Sequence, residues 1–183
     1  NDTISGGNGS NVLRGFAGDD VLSGRNDADA IYGGEGVDRL RGNAGADYLY
    51  GGMGNDALFG GRDIDVLSGD GGNDRLTGDY GADTLFGGDG TDLFYFDRAT
   101  AGSDGGTGLA HDTIMDFAMG DVIHFGGGYD TAVTDLVFVQ DGANVTISVD
   151  LDGNATVDYL AAVVRNAVLA EVEAATSFGG FNF

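Results

Sequence analysis

Apolar residues recur at a nine-residue interval through the first half of the chain, and each is flanked by polar or small residues. From Gly6 to Tyr95 the sequence divides into ten blocks of nine, here called nonads, with no insertion. Position 8 of every nonad is Leu, Ile or Phe, and position 1 is always Gly. One apolar residue between two outward neighbours has the period-2 pattern of a short strand, whereas the glycines favour a turn. We therefore predict that each nonad forms six residues of turn followed by three of strand.

A three-residue strand is unstable alone, so the predicted strands must stack on copies of themselves. If alternate nonads form opposite sheets, 18 residues make one coil and the ten nonads make five coils, about 4.8 Å apart. The predicted fold class is therefore all-β, with a solenoid whose thin interior is filled by the position-8 side chains. These are Leu13, Leu22, Ile31, Leu40, Leu49, Leu58, Leu67, Leu76, Leu85 and Phe94.

Position 6 carries a carboxylate in nine of the ten nonads, and an amide in the first. Stacking would place these carboxylates in rows about 4.8 Å apart, where each adjacent pair repels by roughly 0.9 kcal/mol even at the dielectric constant of water. The rows therefore need a cation. Oxygen ligands alone, on a flexible glycine-rich turn, favour Ca²⁺ over Mg²⁺, which requires octahedral geometry, and over Zn²⁺, which prefers nitrogen and sulfur. The position-6 residues are Asn11, Asp20, Asp29, Asp38, Asp47, Asp56, Asp65, Asp74, Asp83 and Asp92.

The nonads resemble the RTX (repeats-in-toxin) family, whose repeat is G-G-x-G-x-D-x-U-x. The resemblance covers Gly6–Tyr95, and Asn1–Ser5 fits positions 5 to 9 of one further nonad. It implies a right-handed parallel β-roll in which each Ca²⁺ lies between the turns of nonads n and n+2. The implied ligands are position-6 carboxylates and turn carbonyls near positions 2 and 4, so Asp38 would share an ion with Asp56 and Asp47 with Asp65. Ten nonads would hold about eight ions.

The same resemblance assigns the carbonyl ligands to turn residues that are mostly glycine. They are Gly18, Gly34, Gly36, Gly45, Gly52, Gly54, Gly61, Gly72, Gly81, Gly88 and Gly90. Some nonads depart from the family pattern, because Asn11 has no charge and the second glycine is replaced by Phe16, Arg25, Asn43, Asp70 and Asp79. These departures weaken the expectation of calcium at the sites that they flank.

After Phe96 the nonads stop, and residues 96–183 carry a net charge of −11, from 11 Asp and 2 Glu against 2 Arg. The pattern remains that of short strands. Asp135–Gln140 and Asn144–Leu151 flank Asp141-Gly142, which is a strong hairpin signal. We predict two domains, a β-roll over 1–95 and a small β-rich domain over 96–183 whose sheet caps the open end of the solenoid.

The second half resembles the C-terminal domain of serralysin-type proteases. The residues that carry this resemblance are Asp112-Thr-Ile-Met-Asp-Phe117, Gly120-Asp121-Val-Ile and Val149-Asp-Leu-Asp-Gly-Asn154, followed by Asp158-Tyr159. Between Val157 and Ala175 the apolar spacing suits an amphipathic helix, whereas the resemblance implies a strand. We predict a strand to about Arg165 and a short helix near Leu169–Ala175.

Two more acidic groups are candidate calcium sites. Asp116 and Asp121 are predicted to bind an ion at the junction of the two domains. The other group fits either a calcium loop or an ordinary hairpin turn, and it consists of Asp150, Asp152, Asn154 and Asp158. The ending Ser177–Phe183 resembles the uncleaved C-terminal signal read by type I exporters, although it differs from the ending of the proteases.

The composition excludes several classes of function. The net charge is −22, the pI is about 4.1, and there is no Cys or Lys. A chain of this charge repels nucleic acid, and without Cys it has no disulfide or thiol chemistry. No apolar run approaches the ~18 residues of a membrane span. No H-E-x-x-H motif, nucleophile elbow or phosphate loop is present, and His111 and His124 lack a third ligand. We expect this chain to be non-catalytic, although its parent protein could be a secreted enzyme.

Three functions remain open. The first is a module that folds on binding calcium after type I secretion, with the secretion apparatus and an upstream cargo domain as partners and a location outside the cell or on its surface. Because the chain begins at position 5 of a nonad, we expect it to be part of a longer protein. The second is a surface-assembly or adhesion module of the S-layer type. The third is a polysaccharide-binding module. Outward Arg39, Arg41, Phe59 and Arg75 suit either sugars or a partner surface, so they bear on both the second and the third function. The alternative for these side chains is packing against the second domain or the cargo.

Overall fold

A computed structural model describes residues 1–97, 112–126, 136–149, 159–165, 172, 176–178 and 181–182. The named elements of this part of the chain are all strands. They are β1 (Thr3–Ser5), β2 (Val12–Ala17), β3 (Val21–Arg25), β4 (Ala30–Glu35), β5 (Arg39–Ala44), β6 (Tyr48–Met53), β7 (Ala57–Arg62), β8 (Val66–Gly71), β9 (Arg75–Tyr80), β10 (Thr84–Phe86), β11 (Leu93–Asp97), β12 (Asp112–Ile114), β13 (Val122–Gly126), β14 (Leu136–Asp141), β15 (Asn144–Val149), β16 (Tyr159–Val164), β17 (Thr176–Phe178) and β18 (Phe181–Asn182).

The structure has two nine-stranded sheets, and successive strands from β1 to β13 alternate between them. One sheet has the order β1-β3-β5-β7-β9-β11-β13-β17-β18, and the other has the order β14-β15-β16-β12-β10-β8-β6-β4-β2. Neighbouring nonad strands are parallel and offset by 18 residues, as in the row formed by Leu13, Ile31 and Leu49. The predicted parallel β-solenoid, with 18 residues in each coil, is confirmed.

The division between turn and strand differs from the prediction. Most nonad strands have six residues and run from position 7 of one nonad to position 3 of the next, as in Tyr48–Met53. The glycines at positions 1 and 2 therefore lie within strands, where Gly52 pairs with Gly34 and Asp70. Only positions 4 to 6 form the turn. The sequence predicted a longer turn because glycine is common in turns, but the stacking of identical coils lets these glycines form sheet hydrogen bonds.

The interior contains one apolar side chain and one glycine from each nonad. All the position-8 residues are buried, as predicted, and only Leu13 in the first coil has any measurable exposure. Position 1 is glycine because no side chain fits there: a Cβ on Gly51 would lie 2.5 Å from the Asp56 Oδ2 and 2.7 Å from the carbonyl oxygen of Gly69. The invariant glycine is therefore set by space, since the coils approach too closely for a methyl group.

The strands that follow the nonads extend the same two sheets. β12 pairs in parallel with β10, and β13 pairs in parallel with β11, so that Leu85 faces Ile114 and Phe94 faces Ile123. β16 then pairs in parallel with β12, and β14 and β15 add an antiparallel hairpin at that edge. The predicted hairpin at Gly142 and the predicted strand before Arg165 are confirmed. The boundary at residue 95 stays a prediction.

Several predictions concern residues outside the described ranges. These are the acidic loop with Asp150, the histidine at His111, and the helix near Leu169–Ala175, of which only Val172 is described. Among the residues that the structure describes, no helix has the length and hydropathy needed to cross a membrane.

Candidate calcium centre

The position-6 aspartates form two continuous ladders along the roll. In each ladder, the backbone N–H of one aspartate donates a hydrogen bond to the Oδ1 of the aspartate one coil further on. The N–H of Asp38 donates to Asp56 at 2.7 Å, and the N–H of Asp56 donates to Asp74 at 2.7 Å. The bonds from Asp47 to Asp65 and from Asp65 to Asp83 are each 2.8 Å long. Each carboxylate therefore bridges two coils.

The second oxygen of each carboxylate is buried and has no hydrogen-bond donor. This holds for the Oδ2 atoms of Asp20, Asp29, Asp38, Asp47, Asp56, Asp65, Asp74, Asp83 and Asp92. These side chains are at most 3% exposed. An ionised carboxylate only accepts, and a buried acceptor without a donor costs about 1–3 kcal/mol, more when it is charged. Nine such atoms in register require either cations or protons.

Burial raises the pKa of seven of these carboxyls, namely those of Asp38, Asp47, Asp56, Asp65, Asp74, Asp83 and Asp92. The pKa of Asp65 rises to about 8, those of Asp74 and Asp83 to about 7, and those of Asp47 and Asp56 to about 6. Desolvation is the largest cause, neighbouring carboxylates add to it, and the backbone N–H bonds oppose it. Without a cation, part of the ladder would therefore be protonated at neutral pH.

Turn carbonyls supply further oxygen atoms close to the ladders. A Cβ on Gly81 would lie 1.9 Å from the carbonyl oxygen of Asp63 and 2.7 Å from the Oδ1 of Asp83, so this carbonyl and this carboxylate approach the same point. Among the described residues, no place gathers three or more His, Cys, Asp or Glu side chains, so an ion here would depend on carbonyl ligands as well. Ca²⁺ takes six to eight oxygen ligands and tolerates irregular geometry, so the donor set fits this ion.

The backbone at positions 2 and 4 is left-handed in nearly all nonads. Most of the predicted glycine ligands have φ between +97° and +142°, and Gly81 is the exception. The non-glycine residues that depart from the family pattern keep the same conformation, at φ between +69° and +93°; they are Phe16, Arg25, Asn43, Asp70 and Asp79. Their turns therefore keep the geometry of the glycine turns, at a cost in backbone strain.

Asn11 occupies the ladder in a different way from the aspartates. Its Nδ2 donates to the Oδ1 of Asp29 at 3.1 Å, and its backbone N–H donates to the same oxygen at 2.7 Å. The amide thus supplies a proton donor at the point where the other nonads carry a second negative charge. The first coil therefore depends less on a cation at this point than the coils that follow.

Two aspartates from the second half continue the ladders. The N–H of Asp83 donates to the Oδ1 of Asp112, and the N–H of Asp92 donates to the Oδ1 of Asp121, both at 2.9 Å. Asp121 was predicted from the sequence to bind an ion, which stays a prediction, whereas the place of Asp112 in the ladder was not predicted. Both oxygens of Asp116 accept backbone N–H groups, at 2.8 Å and 3.0 Å, and the Oδ2 of Asp121 accepts the N–H of Ala118 at 2.7 Å. The predicted role of each carboxylate as a ligand therefore competes with these bonds. The missed signal is the interval of nine residues between Asp112 and Asp121, each of which precedes an apolar residue by two.

Comparison with known proteins supports these observations. No curated protein matches the chain. The solution structure of the AlgE6R3 subunit from the Azotobacter vinelandii mannuronan C5-epimerase is similar, with 26% sequence identity and a TM-score of 0.51 over 85% of this chain and 81% of that one. The family model of the RTX calcium-binding nonapeptide repeat matches residues 1–31, 32–67 and 68–99, which is more than half of the 183 residues. The chain belongs to the family of RTX calcium-binding nonapeptide repeats.

Proposed function

We propose that this chain is a module of a secreted protein and that it folds when it binds calcium. The observation that carries the proposal is the set of nine buried Oδ2 atoms without donors. In a chain of net charge −22, collecting these carboxylates without a cation opposes folding. An ion that binds the folded chain and not the unfolded one contributes its binding free energy to folding.

The bridging geometry favours a cooperative response. Asp56 accepts from Asp38 in the coil before and donates its own N–H to Asp74 in the coil after. When one site becomes ordered, the aspartate that it shares with the next site is ordered as well. With site constants of about 10⁻⁴–10⁻³ M, as in extracellular calcium modules, the chain would stay unfolded at cytosolic calcium concentrations and fold outside the cell. Position-6 carboxylates and turn carbonyls would hold the ions, which supply the charge that neutralises the ladder.

The remaining parts of this proposal concern the parent protein. RTX repeats are typical of secreted proteins. Export by a type I apparatus, an upstream cargo domain and a serralysin-like C-terminal region are proposed from the sequence resemblance. A non-catalytic role is supported by His124, whose ring stacks on Tyr95 at a centroid distance of 5.2 Å. That contact is typical of a structural histidine.

Circular dichroism of the chain during a calcium titration tests the proposal. We expect an unfolded spectrum in EDTA, a steep transition to a β spectrum near millimolar calcium, and no equivalent transition with magnesium. A β spectrum in EDTA that calcium leaves unchanged would contradict it. A transition at micromolar calcium would contradict the proposed difference between the cytosol and the outside of the cell.

Binding of an anionic polysaccharide is a second candidate function, favoured by one outer face of the roll. The guanidinium carbons of Arg39, Arg41 and Arg75 lie 4.5, 5.7 and 5.9 Å from the centroid of the Phe59 ring. Within the described residues, none of the three is ion-paired. Arg39, Arg41 and Phe59 border a shallow cavity of about 290 Å³, together with Asn43 and Asp79. Unpaired guanidinium groups around an aromatic ring suit carboxylated sugars, and the similar solved structure is a subunit of a mannuronan epimerase.

Calorimetric titration with uronic acid oligomers, at saturating calcium, tests this second function. We expect binding that weakens at least tenfold in Arg39→Ala/Arg75→Ala. Arg14→Ala is the matched control, because Arg14 lies over Tyr32 on the opposite sheet. Absence of binding, together with calcium-dependent lattice formation in light scattering, would instead favour the surface-assembly function. Equal binding by both variants would exclude this face.

A further inference from the structure

The segment Asp112–His124 has the spacing of a nonad without its glycines. Asp112 and Asp121 are nine residues apart, as position-6 residues of consecutive nonads are, and Ile114 and Ile123 fall at position 8. Glycine is absent at the places corresponding to positions 1, 2 and 4. The family model ends at residue 99 and does not include this segment.

The structure places this segment as one more coil of the roll. Along the ladder, the step from Asp83 to Asp112 takes 29 residues instead of 18, yet the N–H of Asp83 reaches the Oδ1 of Asp112 as in any nonad pair. The N–H of Thr113 donates to the carbonyl of Asp83 at 2.7 Å, and the N–H of Val122 donates to that of Asp92 at 2.7 Å. The equivalent bond within the nonads, from Arg75 to Asp56, is 2.9 Å long. We call Asp112–His124 the cryptic coil.

Its interior also matches the nonads. Ile114 and Ile123 are fully buried and continue the rows of Leu85 and Phe94. The carboxyls of Asp112 and Asp121 are 6% and 3% exposed, close to the values for the position-6 aspartates. Both the apolar row and the acidic ladder therefore continue into a region where the repeat sequence has ended.

Unpartnered oxygen atoms lie at both steps between the last nonads and the cryptic coil. The Oδ2 atoms of Asp83 and Asp92 are buried without donors, and each side chain is 1% exposed. The Oδ1 atoms of Asp112 and Asp121 reach these two steps, where they accept the N–H groups of Asp83 and Asp92, both at 2.9 Å. Each step thus joins two buried carboxylates. At the second step the Oδ2 of Asp121 also accepts the N–H of Ala118 at 2.7 Å, so the oxygen without a donor there is the Oδ2 of Asp92.

We propose that the cryptic coil binds two further calcium ions, one between Asp83 and Asp112 and the other between Asp92 and Asp121. Asp116 takes the place of the position-1 glycine, and its carboxylate orders the turn by accepting the N–H groups of Gly87 and Gly88. One ladder ends in the next coil, because Ala162 pairs with Asp112 there and offers no carboxylate. These ions join the nonads to the strands that follow them. The proposal rests on the proposed calcium-dependent folding for the identity of the ion.

Counting bound ions by native mass spectrometry of the full chain tests the proposal. We expect Asp112→Asn and Asp121→Asn each to lose one ion relative to the unmodified chain, and the double variant to lose two. Each amide keeps an oxygen that accepts the N–H of Asp83 or Asp92, so the coil is expected to fold. Asp89→Asn is the matched control, since it removes the same charge from an exposed position of the tenth nonad and should keep every ion.

The outcomes separate this proposal from the one on which it rests. If the unmodified chain binds no calcium, the proposed function fails. If it binds calcium and both asparagine variants keep its full ion count, only the cryptic coil is refuted. Should a variant not fold, hydrogen exchange of the unmodified chain decides: protection of Thr113 and Val122 should rise with calcium over the same range as the nonads, and calcium-independent protection would overturn the proposal.

Discussion

The nonads and the cryptic coil build the same carboxylate ladder and the same apolar row from different sequences. The nonads have glycine at position 1 throughout, at position 4 in eight of ten and at position 2 in five of ten, with a left-handed backbone at most of the latter two positions. In the cryptic coil the corresponding residues are Asp116, Phe117 and Met119, none of which has a positive φ, and the left-handed residue is Gly120. What the two share is an aspartate that bridges coils and an apolar residue two places later. The comparison shows that these two residues define the coil, whereas the glycines allow many coils to stack without loops.

The largest expected effect concerns pH: the stability of the calcium-free chain and that of the calcium-loaded chain should change in opposite directions as the pH rises. In EDTA, several buried carboxyls have pKa values of about 6 to 8 in the folded chain and near 3.8 in the unfolded chain. Protonation of these carboxyls therefore stabilises the folded chain at low pH, and this stabilisation is lost as the pH rises through 6 to 8. One pKa unit corresponds to about 1.4 kcal/mol, and several carboxyls contribute.

We therefore expect more folded chain at pH 5 than at pH 8 in EDTA. With saturating calcium the order is reversed, because the ions need ionised ligands. Thermal unfolding followed by circular dichroism at pH 5 and pH 8 measures the stability of the chain in EDTA and in calcium. Greater stability at pH 8 in EDTA would show that the buried carboxyls are not the groups that oppose folding.

Truncation of the interior row tests whether the cryptic coil shares one core with the nonads. Leu49→Ala and Ile114→Ala should each reduce the free energy of unfolding by about 2–5 kcal/mol, because both side chains are fully buried. Urea unfolding at saturating calcium provides the measurement. If Ile114→Ala costs less than about 1 kcal/mol while Leu49→Ala falls in the expected range, the cryptic coil does not belong to this core.

Gly51→Ala tests the role of space at position 1. The methyl group would lie 2.5 Å from the Asp56 Oδ2 and 2.7 Å from a backbone oxygen, so a loss of about 1–3 kcal/mol is expected. Gly7→Ala is the control, because a Cβ there meets no atom within 4 Å. Unfolding by urea in calcium compares the two. Equal stability of both variants would mean that position 1 is glycine for a reason other than packing.

The smallest expected effect concerns position 2. Phe16 is 73% exposed and has a φ of +75°. Phe16→Gly should therefore relieve backbone strain, increase the free energy of unfolding by about 1 kcal/mol and raise the melting temperature. In the cryptic coil Phe117 packs on Phe94 with ring centroids 6.2 Å apart, so Phe117→Gly should lower the melting temperature. Phe16→Ala keeps the strain and serves as the control. A change of the same sign in both glycine variants would contradict the different turn geometry of the two regions.

Much of the architecture follows from the sequence because the repeat is regular. Nine-residue spacing with alternating sheets predicts the pairing of Leu13 with Ile31, and the burial of position 8 follows from its apolar character. The strand length was wrong because a glycine such as Gly52 is read locally as a turn residue, whereas its hydrogen bonds come from the neighbouring coils. Asp112 was missed because it follows Asp92 by twenty residues, which is out of phase with the nonads, and only the fold brings it beside Asp83.

Hydrogen exchange of the whole chain, measured in calcium and in EDTA, tests the central claim most directly. The N–H groups of Asp38, Asp56 and Asp65 donate to carboxylates whose other oxygen is unpartnered, so their protection reports on the ladder itself. We predict strong protection of these amides in calcium and its loss in EDTA at pH 8. Protection in EDTA equal to that in calcium would contradict the account, because the buried carboxylates would then be stable without a cation.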